Sequence, residues 1–437
     1  MSLKCVSDAG SQGIVPNLAA QAHKERLDVA IADVFRQSGL SGFESIDGLA
    51  FTRGPGLSAC LDIGLKKTRY LASKYDLQTV AINHMEGHLL ASRLEDRSVK
   101  FPFLCLLVSG GHSQIVAASG VGDYKMLGET LDIALGDAFD KVARALHLCD
   151  LNGGKMLEQS AKLGNPFAFK LPMPLKAYKN CDLSFSGLQT AVDVEIEKIN
   201  CLKEHTLLNS REKLSPASGV RKQHFTLSPQ EVSDLAASFQ YTCIEHLVRR
   251  LKHAIKWCKD NAFETQTLVI SGGVACNNAI FDTISKRLHS DRFTVIRPSA
   301  SLCSDNAVMI GWAAQENVDA GKHVLTPEEL ANTRYIPRWP LDESGKDYFP
   351  DSHPSHASTP IAIYREEVLT KHLEALGENF TAQTAIRAIR AYLSLKKIEE
   401  AHLLVQRAME AFPGDTHLER MAKKVVPMYT SWHNKYQ

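Results

Sequence analysis

The sequence lacks the features that would assign it to a membrane, secreted or highly charged class of protein. Its best apolar run, Phe101 to Val108, is much shorter than the ~18 residues that a membrane-spanning helix needs, so an integral membrane protein is excluded. Its 50 Lys and Arg residues nearly balance 49 Asp and Glu residues. A neutral chain has no general basic surface, so any nucleic acid must be held by a local patch.

Paired cysteines and a targeting segment are also missing. The ten cysteines form no Cys-x-x-Cys motif, which argues against a zinc ribbon or a thioredoxin-like redox pair and favours a reducing compartment. Residues 1–8 contain neither an apolar secretory core nor an Arg-rich presequence, so they indicate no cellular address. The 437 residues are enough for two or three domains, each with its own core.

Strands alternate with helices along the first 340 residues, and this alternation predicts an α/β fold. An apolar strand is followed by Ser-Gly-Gly twice, at residues 109–111 and 271–273, which suggests an internally duplicated fold. The first of these turns joins two strands in a predicted hairpin. The predicted elements are helices at 19–35, 61–74 and 229–257 and strands at 48–52, 79–82, 102–108, 113–117, 267–270 and 293–296.

Three segments depart from this alternation. Residues 201–226 are polar and basic without sustained periodicity, which predicts an exposed insertion that ends at a capping box, Ser228-Pro-Gln-Glu231. Residues 342–360 are rich in Asp, Ser, His and Pro and predict a linker. Residues 361–437 predict a helical hairpin tail that resembles one tetratricopeptide-like unit and packs on the body of the protein. Its two apolar faces are Ala385, Ala388, Ile389 and Leu393, and then Ala401, Leu404, Val405, Ala408 and Phe412.

A pair of histidines offers a candidate metal site. His84 and His88 are spaced i,i+4, so their imidazoles lie on one helix face and can share a metal ion; the alternative is a solvated pair of surface side chains. Asp305 could supply a third ligand, but it could equally be the N-cap of a helix. A metallopeptidase needs His-Glu-x-x-His, whereas Glu86 here lies about 200° around the helix from His84.

The two Ser-Gly-Gly turns offer a candidate phosphate site. They place backbone N–H groups after strands without side chains in the way, which suits contact with a phosphate. Neither turn matches the P-loop or the dinucleotide fingerprint, and each also fits a simple tight turn. Residues 136–141 begin a helix with Asp137 and Asp140 near its start, as the helix dipole favours, so structure alone could explain these acids.

Seven motifs occur in one order along the chain. They are Arg53-Gly-Pro-Gly-Leu57, His84-Met-Glu-Gly-His88, Leu107-Val-Ser-Gly-Gly-His-Ser-Gln114, Gly136-Asp-Ala-Phe-Asp-Lys141, Leu183-Ser-Phe-Ser-Gly-Leu-Gln189, Ser271-Gly-Gly-Val-Ala-Cys-Asn277 and Leu302-Cys-Ser-Asp-Asn306. Together they resemble the tRNA N6-adenosine threonylcarbamoyltransferase family, and within it the mitochondrial branch. The resemblance covers about residues 13–341. It implies a duplicated actin-like ATPase fold, also called ribonuclease-H-like, with two lobes at residues 1–110 and 111–341.

The resemblance also implies site residues. One iron or zinc ion per chain would be bound by His84, His88 and Asp305, and no catalytic residue is assigned apart from this metal site. The resemblance favours a ligand role for Asp305 and phosphate contact for the glycine turns over the two alternatives above. The nucleotide or threonylcarbamoyl-adenylate would contact Leu107, Val108, Ser109, Gly110, Gly111, Asp140, Gly153 or Gly154, and Asn277, with Asp140 and Asn277 on opposite sides of a cleft.

The activity that the resemblance implies is transfer of a threonylcarbamoyl group from threonylcarbamoyl-AMP, which a separate synthase supplies, to the adenosine 3′ of the anticodon in mitochondrial tRNA. It further implies a homodimer in the mitochondrion without membrane association. The competing hypotheses are a metal-dependent endopeptidase and a non-catalytic paralogue that binds tRNA or a partner protein. We expect tRNA to contact basic residues around the cleft, such as Lys66, Lys67, Arg69, Arg211, Lys213, Arg221 and Lys222.

The sequence departs from the family pattern in three places. Family members open with a strand and a Gly-Ile-Glu-Thr-Ser-Cys-like phosphate loop, which this chain does not contain, so we expect the first lobe to lack its leading strands. Residues 150–155 differ from the Tyr-Pro-Gly-Gly-Pro segment that is usual in the family and are one residue longer. Either Gly153 or Gly154 could therefore be the residue that contacts the nucleotide. The tail after residue 360 is outside the family pattern.

Overall fold

The computed structural model describes residues 16–148, 153–211, 227–322 and 324–342, then residues 398–413 and scattered positions between 381 and 429. The chain divides into two compact units, residues 1–349 and 350–437. Among the described residues, no helix combines the length and the apolar character needed to cross a membrane.

The first unit alternates strands and helices as the sequence predicts. Its strands are β1 (Gly48–Gly54), β2 (Gln78–Asn83), β3 (Phe103–Val108), β4 (Ser113–Gly120), β5 (Asp123–Glu129), β6 (Thr267–Ser271) and β7 (Thr294–Ile296). Its helices are α1 (Pro16–Ser38), α2 (Ser58–Tyr75), α3 (His84–Glu95), α4 (Leu135–Ala145), α5 (Gly153–Ala161), α6 (Ser186–Arg211), α7 (Pro229–Asp260), α8 (Asn278–Leu288), α9 (Ala300–Cys303), α10 (Ala307–Asp319) and α11 (Pro327–Asn332). Short 3₁₀ helices lie at Phe43–Ser45, Gly273–Cys276 and His289–Asp291.

These strands form two sheets in the described part of the chain. Strands β1 and β2 are parallel, and the other five lie in the order β5-β4-β3-β6-β7. The predicted hairpin is confirmed, because β3 and β4 are antiparallel with Val108 opposite Ser113. Strand β6 runs parallel to β3 with Ser271 beside Leu107, so both Ser-Gly-Gly turns leave the sheet at the same edge. This mixed sheet with its helices confirms the α/β class.

Strand β3 is apolar throughout because both of its faces are covered. Every residue of the strand is buried. Leu104, Leu106 and Val108 pack in a core with α4 and α7, whereas the alternate residues pack in a second core with α3 and α10. A strand buried on both faces reads as a continuous hydrophobic run, which is why this segment shows no polar alternation.

Helix boundaries follow local capping chemistry. The hydroxyl of Ser228 accepts a hydrogen bond from the N–H of Glu231, whose carboxylate accepts one from the N–H of Ser228, and this predicted capping box starts α7. Helix α3 starts directly after β2 because the side chain of Asn83 accepts a hydrogen bond from the N–H of Met85. The cap therefore determines where His84 and His88 lie.

The structure differs from the sequence-based predictions at the insertion. Helix α6 continues through Arg211, so the predicted exposed insertion at 201–226 begins too early. Leu, Lys, Glu and Arg, all good helix formers, occur in residues 202–211 and extend the helix without a clear apolar stripe. Residues 212–226 and the linker at 343–360 lie outside the described residues. The predicted lobe boundary at residue 110 falls in the turn between the paired strands β3 and β4, and the two-lobe division stays a prediction.

The second unit contains helix α12 (Ile398–Ala411) and a small apolar cluster of its own. Residues of both predicted helical faces meet in this cluster, which fits a helical hairpin; of the first face, Leu393 lies outside the described residues. The buried members of the cluster are Ala385, Ala388, Ile389, Ala401, Leu404, Val405, Ala408, Leu418 and Val425.

Candidate metal centre and nucleotide site

The two histidines of the candidate metal centre lie on the first two turns of α3. His84 is the first residue of the helix, and the ring centroids of His84 and His88 are 5.0 Å apart. The side chain of His88 is only 2% exposed, and that of His84 is 21% exposed. The alternative of two solvated surface imidazoles is therefore wrong for His88.

Asp305 lies against both imidazoles. Its Oδ1 is 3.0 Å from Nε2 of His88 and 3.3 Å from Nε2 of His84. Two ligands that each bind one ion at about 2.0–2.2 Å are separated by about 3.0–3.5 Å, which is the spacing found here. The N-cap alternative for Asp305 is wrong, because the side chain of Asn306 accepts the hydrogen bond from the N–H of Met309 at the start of α10.

The donor set fits a divalent transition metal. The three ligand atoms lie within 4.8 Å of one another, and two imidazoles with one carboxylate suit zinc or non-haem iron and leave coordination positions open. Hydrogen bonds from His84 and His88 hold the pKa of Asp305 well below its usual value, so its carboxylate is ionised. Because this side chain is 74% exposed, solvent screens the charges and the cluster adds little to folding stability.

His112 also belongs to this neighbourhood, although the sequence analysis did not single it out. Burial lowers its pKa to about 4, and the nearby imidazoles of His84 and His88 act in the same direction. Its carbonyl oxygen accepts a hydrogen bond from the N–H of Ser109 at 2.8 Å, which closes the first Ser-Gly-Gly turn. This histidine therefore belongs to the turn and lies near the candidate metal ligands. Its position directly after Gly-Gly was the signal that could have identified it.

Glu86 points away from the candidate ligands. Its Oε1 accepts hydrogen bonds from the hydroxyl of Tyr124 at 2.8 Å and from Nδ2 of Asn317 at 3.2 Å. The residue is buried, and burial raises the pKa of this carboxyl group. Its position agrees with the helical spacing and leaves it unable to act as the base of a metallopeptidase.

The first Ser-Gly-Gly turn is a tight hairpin that also has an open side. Oγ of Ser109 accepts hydrogen bonds from the N–H groups of Gly111 and His112 at 3.3 and 3.0 Å. A Cβ atom placed on Gly110 or Gly111 would meet nothing within 4 Å. Leu107 and Val108 are buried at the end of β3, so the turn begins from a fixed strand. The turn can therefore hold its own shape and still admit a ligand.

The second Ser-Gly-Gly turn packs against the first strand. Gly272 has a φ of +94°, and a Cβ atom there would lie 2.4 Å from the carbonyl oxygen of Val108. Only glycine suits such a left-handed conformation and such a close approach. Gly272 therefore brings the two turns side by side.

Asp140 lies on α4 and contacts the start of α5. Its Oδ1 accepts a hydrogen bond from the N–H of Gly154 at 3.1 Å, and burial raises the pKa of its carboxyl group. A Cβ atom on Gly153 would lie 2.7 Å from the same oxygen, so the helix begins in close contact with α4. The hydrogen bond with Gly154 thus gives Asp140 a structural role in the contact between α4 and α5.

Asn277 is buried and caps α8. Its Oδ1 accepts a hydrogen bond from the N–H of Ile280 at 3.0 Å, and its Nδ2 donates one to Oε1 of Gln240 at 2.9 Å. The next residue, Asn278, donates its N–H to Oε1 of Glu158 on α5 at 3.1 Å. Asp140 and Asn277 are therefore joined through α5, which contacts both of their helices.

The motif at residues 183–189 is anchored by Asp132, which the sequence analysis missed. Its carboxylate accepts hydrogen bonds from the hydroxyls of Ser184 and Ser186 and from the N–H of Phe185. Burial alone would raise the pKa of Asp132, but these hydrogen bonds outweigh it and the pKa lies below its usual value. The two serines of the motif, Ser184 and Ser186, were the sequence signal that could have indicated a carboxylate partner.

The basic residues expected to contact tRNA already have protein partners where they are described. Lys66 pairs with Asp62, Lys67 pairs with Asp28, and the guanidinium of Arg69 donates to the carbonyl oxygens of Leu330 and Thr333. The side chain of Arg211 and residues Lys213, Arg221 and Lys222 lie outside the described residues. A tRNA surface at these positions stays a prediction.

Comparison with known proteins points to one family. The family model TsaD, described as tRNA N6-adenosine threonylcarbamoyltransferase, matches residues 3–312. A protein of that name from Chelativorans sp. (strain BNC1) is 39% identical over 339 residues, covering 77% of this chain and 85% of the relative. "Probable tRNA N6-adenosine threonylcarbamoyltransferase, mitochondrial" from Arabidopsis thaliana is 34% identical over 76% of this chain and 67% of the relative. The solved structure titled "Crystal structure of T.kodakarensis HypF" has a TM-score of 0.47 and 14% identity, covering 70% of this chain and 44% of that chain.

Proposed function

The chain belongs to the tRNA N6-adenosine threonylcarbamoyltransferase family, and from that premise we propose that it transfers a threonylcarbamoyl group to the adenosine 3′ of the anticodon in mitochondrial tRNA. The named activity is that of an acyltransferase acting on tRNA. The family has the actin-like, ribonuclease-H-like fold that the resemblance implies, and the mixed sheet with flanking helices agrees with it.

One observation supports the proposal most strongly. His84, His88 and Asp305 converge within 4.8 Å, and all three act on the pKa of His112, the residue that follows the first glycine turn. A metal ligand set next to an amide-rich turn suits a substrate that carries both a carbonyl group and a phosphate. Threonylcarbamoyl-AMP has both groups.

The metal ligands would hold one divalent ion, iron or zinc, which when bound supplies a Lewis acid for the carbonyl group of the substrate. The role of the chain itself is to orient these ligands. Asn83 starts α3 so that His84 and His88 face Asp305, and Asn306 caps α10 so that Asp305 stays free to face them. Two separate caps thus align the three ligands.

The glycine turns would hold the phosphate of the adenylate. Both turns lie at the shared edge of β3 and β6, and the open side of Gly110 and Gly111 leaves room for an anion. Because the N–H groups of Ser109 and Gly111 already have partners within the first turn, the phosphate would contact the N–H of Gly110 there. Amides oriented before the substrate arrives stabilise a leaving phosphate without reorganising. Asp140, Gly153 or Gly154, and Asn277 would contact the rest of the nucleotide.

The transfer needs no covalent intermediate with the protein. The exocyclic amine of adenosine attacks the threonylcarbamoyl carbonyl, so a C–N bond forms and the C–O bond to the phosphate breaks. AMP leaves with the electron pair, and the amine releases a proton to solvent. Positioning and electrostatic stabilisation therefore account for most of the catalysis that the site must supply.

The remaining parts of the proposal concern partners and location. A separate synthase would supply threonylcarbamoyl-AMP, and the protein would act as a homodimer. The name of the Arabidopsis thaliana relative includes "mitochondrial", which supports a mitochondrial location.

Reconstitution tests the proposed function against both alternatives. The purified chain is incubated with threonine, bicarbonate, ATP, a bacterial synthase and tRNA, and the nucleosides are analysed by mass spectrometry. We expect threonylcarbamoyladenosine from the wild type and a strong decrease for His88→Ala. Metal-dependent cleavage of a protein substrate without modified nucleoside would favour the endopeptidase. Binding of tRNA without either reaction would favour the non-catalytic paralogue.

A further inference from the structure

The loop between α5 and α6 contains a short basic and aromatic sequence that the proposed site does not use. Residues 176–179 are Lys-Ala-Tyr-Lys, and both lysines are exposed. Tyr178, between them, is 38% exposed. On surfaces that bind RNA, lysines contact phosphates and aromatic rings stack on unpaired bases. The same sequence also fits an ordinary solvated loop, so its surroundings in the fold decide between the two interpretations.

Two adjacent arginines of α7 hold the backbone of this loop. Arg250 is fully buried, and its Nη1 donates hydrogen bonds to the carbonyl oxygens of Tyr178 and Asn180, both at 2.9 Å. Nη2 of Arg249 donates to the carbonyl oxygen of Lys176 at 2.6 Å. The loop therefore presents its lysines and its tyrosine from fixed backbone positions, so little backbone entropy is lost when a ligand binds.

These hydrogen bonds hold the arginines without neutralising their charge. Arg249 lies one helical turn before the exposed Lys252, and together with the loop they form a basic patch of four residues: Lys176, Lys179, Arg249 and Lys252. Within the described part of the chain, no carboxylate lies within 4.0 Å of the charged nitrogens of this basic patch or of Arg250. The basic patch is therefore a local excess of positive charge on a chain that is neutral overall.

The charges of the loop and of α7 act on one another. Burial lowers the pKa of His253, and the positive charges of Arg250, Arg249 and Lys179 lower it further. Burial and Arg249 also lower the pKa of Arg250, although the charge of Asp182 opposes them. Like charges gathered in this way repel one another, so an anion bound at the basic patch would relieve the repulsion.

The loop leads into the functional site beside β5. Leu183 lies four residues after Lys179 and pairs with Thr130. The N–H of Thr130 donates to the carbonyl oxygen of Ser113 at 2.9 Å, and Ser113 begins β4 after the first Ser-Gly-Gly turn. Two strand spacings, about 10 Å, and four extended residues therefore place Lys179 at most about 25 Å from that turn. A tRNA whose anticodon loop lies at the turn is large enough to reach the basic patch.

We propose that the basic patch binds backbone phosphates of tRNA and that the ring of Tyr178 stacks on an unpaired base. This inference rests on the proposed function, which makes tRNA the substrate. The charges extend over a loop and a turn of α7, so they suit a polyanion better than a single small anion. The basic patch replaces the contacts predicted at Lys66 and Lys67, whose charges are already paired with aspartates.

The affinity of the full chain for unmodified tRNA, measured as a function of salt concentration, tests the proposal. The double variant Lys176→Ala/Lys179→Ala should bind tRNA about tenfold more weakly near physiological salt. The slope of log affinity against log salt should become shallower by about one to two, because two phosphate contacts no longer release counterions. Lys24→Ala/Arg26→Ala is the matched control, since it removes two exposed charges of α1 and should change neither quantity.

Further variants separate charge and stacking from damage to the fold. Lys176→Arg/Lys179→Arg keeps both charges and should bind tRNA as the wild type does. Tyr178→Ala should weaken binding without changing the salt slope, whereas Tyr178→Phe keeps a ring that can stack and should retain the affinity.

Equal tRNA affinity and equal salt slope in the wild type and in Lys176→Ala/Lys179→Ala would overturn the proposal. A loss of affinity in Lys66→Ala/Lys67→Ala instead would overturn it as well. If Lys176→Ala/Lys179→Ala kept its affinity for tRNA but lost binding to phosphatidylserine vesicles, the basic patch would face a membrane surface and the proposal would be wrong.

The proposed function is judged separately with the same proteins. In single-turnover reactions with saturating tRNA, Lys176→Ala/Lys179→Ala should modify tRNA at the wild-type rate, because the basic patch contributes to binding and not to the chemical step. A wild type that binds tRNA through the basic patch but forms no modified nucleoside would refute the proposed function and leave this inference intact. Modification of tRNA by a wild type whose affinity does not depend on the basic patch would do the reverse.

Discussion

Oδ1 of Asp305 lies 3.0 Å from Nε2 of His88, although the two residues are 217 positions apart in the sequence. The contact joins the start of α10 to α3, and these two helices pack on the same face of the five-stranded sheet. Sheet packing therefore brings together ligands that local sequence cannot relate.

The metal ligands give the first prediction. The wild type is expected to bind about one zinc or iron ion per chain, and His84→Ala, His88→Ala and Asp305→Ala should each lose most of it, because a site of three protein ligands tolerates no loss. Elemental analysis of purified protein measures this. His289→Ala, which removes an exposed histidine elsewhere, should retain the ion. Full metal content in both His84→Ala and His88→Ala would reject the site.

The contact between the glycine turns gives the second prediction. Gly272→Ala should lower the free energy of unfolding by about 1–3 kcal/mol, because alanine must adopt a positive φ and its Cβ would lie 2.4 Å from the carbonyl oxygen of Val108. Gly273→Ala is the matched control, since a Cβ there meets nothing within 4 Å. Denaturant unfolding compares the two. Equal stability of both variants would contradict the close approach of the turns.

Asn277 gives the third prediction, in which helix capping and nucleotide binding are separated. Asn277→Asp keeps an oxygen that can cap α8 but removes the Nδ2 donor to Gln240 and buries a charge, so AMP binding is measured at a temperature at which both proteins are folded. The added negative charge should weaken AMP binding about tenfold or more if a phosphate lies nearby, as calorimetry can measure. Thr326→Asp, which preserves the N-cap of α11, should leave AMP affinity unchanged. Unchanged AMP affinity in Asn277→Asp would show that the nucleotide does not bind near Asn277.

His246 gives the fourth prediction, which concerns pH. Burial lowers the pKa of His246 to about 3, and its Nε2 accepts a hydrogen bond from the N–H of Ser184. The unfolded state binds the proton near pH 6.5, so stability from this group is complete above that pH and is lost as pH falls towards 3. Between pH 6.5 and 5 the loss is about 2 kcal/mol.

His246→Gln tests this assignment because glutamine can accept the same hydrogen bond and does not titrate. Unfolding free energies at pH 6.5 and pH 5 should show that the variant loses about 2 kcal/mol less than the wild type on acidification. The lowered pKa values of His112 and His253 add a background that both proteins share. Parallel pH profiles for the two proteins would contradict a neutral buried His246.

Local sequence was sufficient for most of the strands and for part of the site, but it did not predict β5 or α6. The capping box at Ser228 set the start of α7, and the i,i+4 spacing placed His84 and His88 on one helix face. Helix α6 was not predicted, and the insertion was therefore expected to begin at residue 201, because a helix without an apolar stripe has no periodic signal.

The remaining features depend on contacts between distant parts of the chain. The parallel pairing of β3 with β6 joins strands about 160 residues apart, and hydrophobic pattern alone does not determine strand order. Asn306 rather than Asp305 caps α10, although both residue types are good caps, because Asp305 is held by the two histidines. His112 and Asp132 were missed because their significance comes from neighbours in space.

The most direct test of the central claim is a single-turnover reaction with preformed threonylcarbamoyl-AMP and tRNA, with the protein in excess and no synthase present. Modified nucleoside and AMP are quantified in the same sample. We predict that they form together, one for one, and that His88→Ala lowers the rate by at least about a hundredfold while His289→Ala does not change it. AMP release without tRNA modification, or equal rates for the wild type and His88→Ala, would contradict the account.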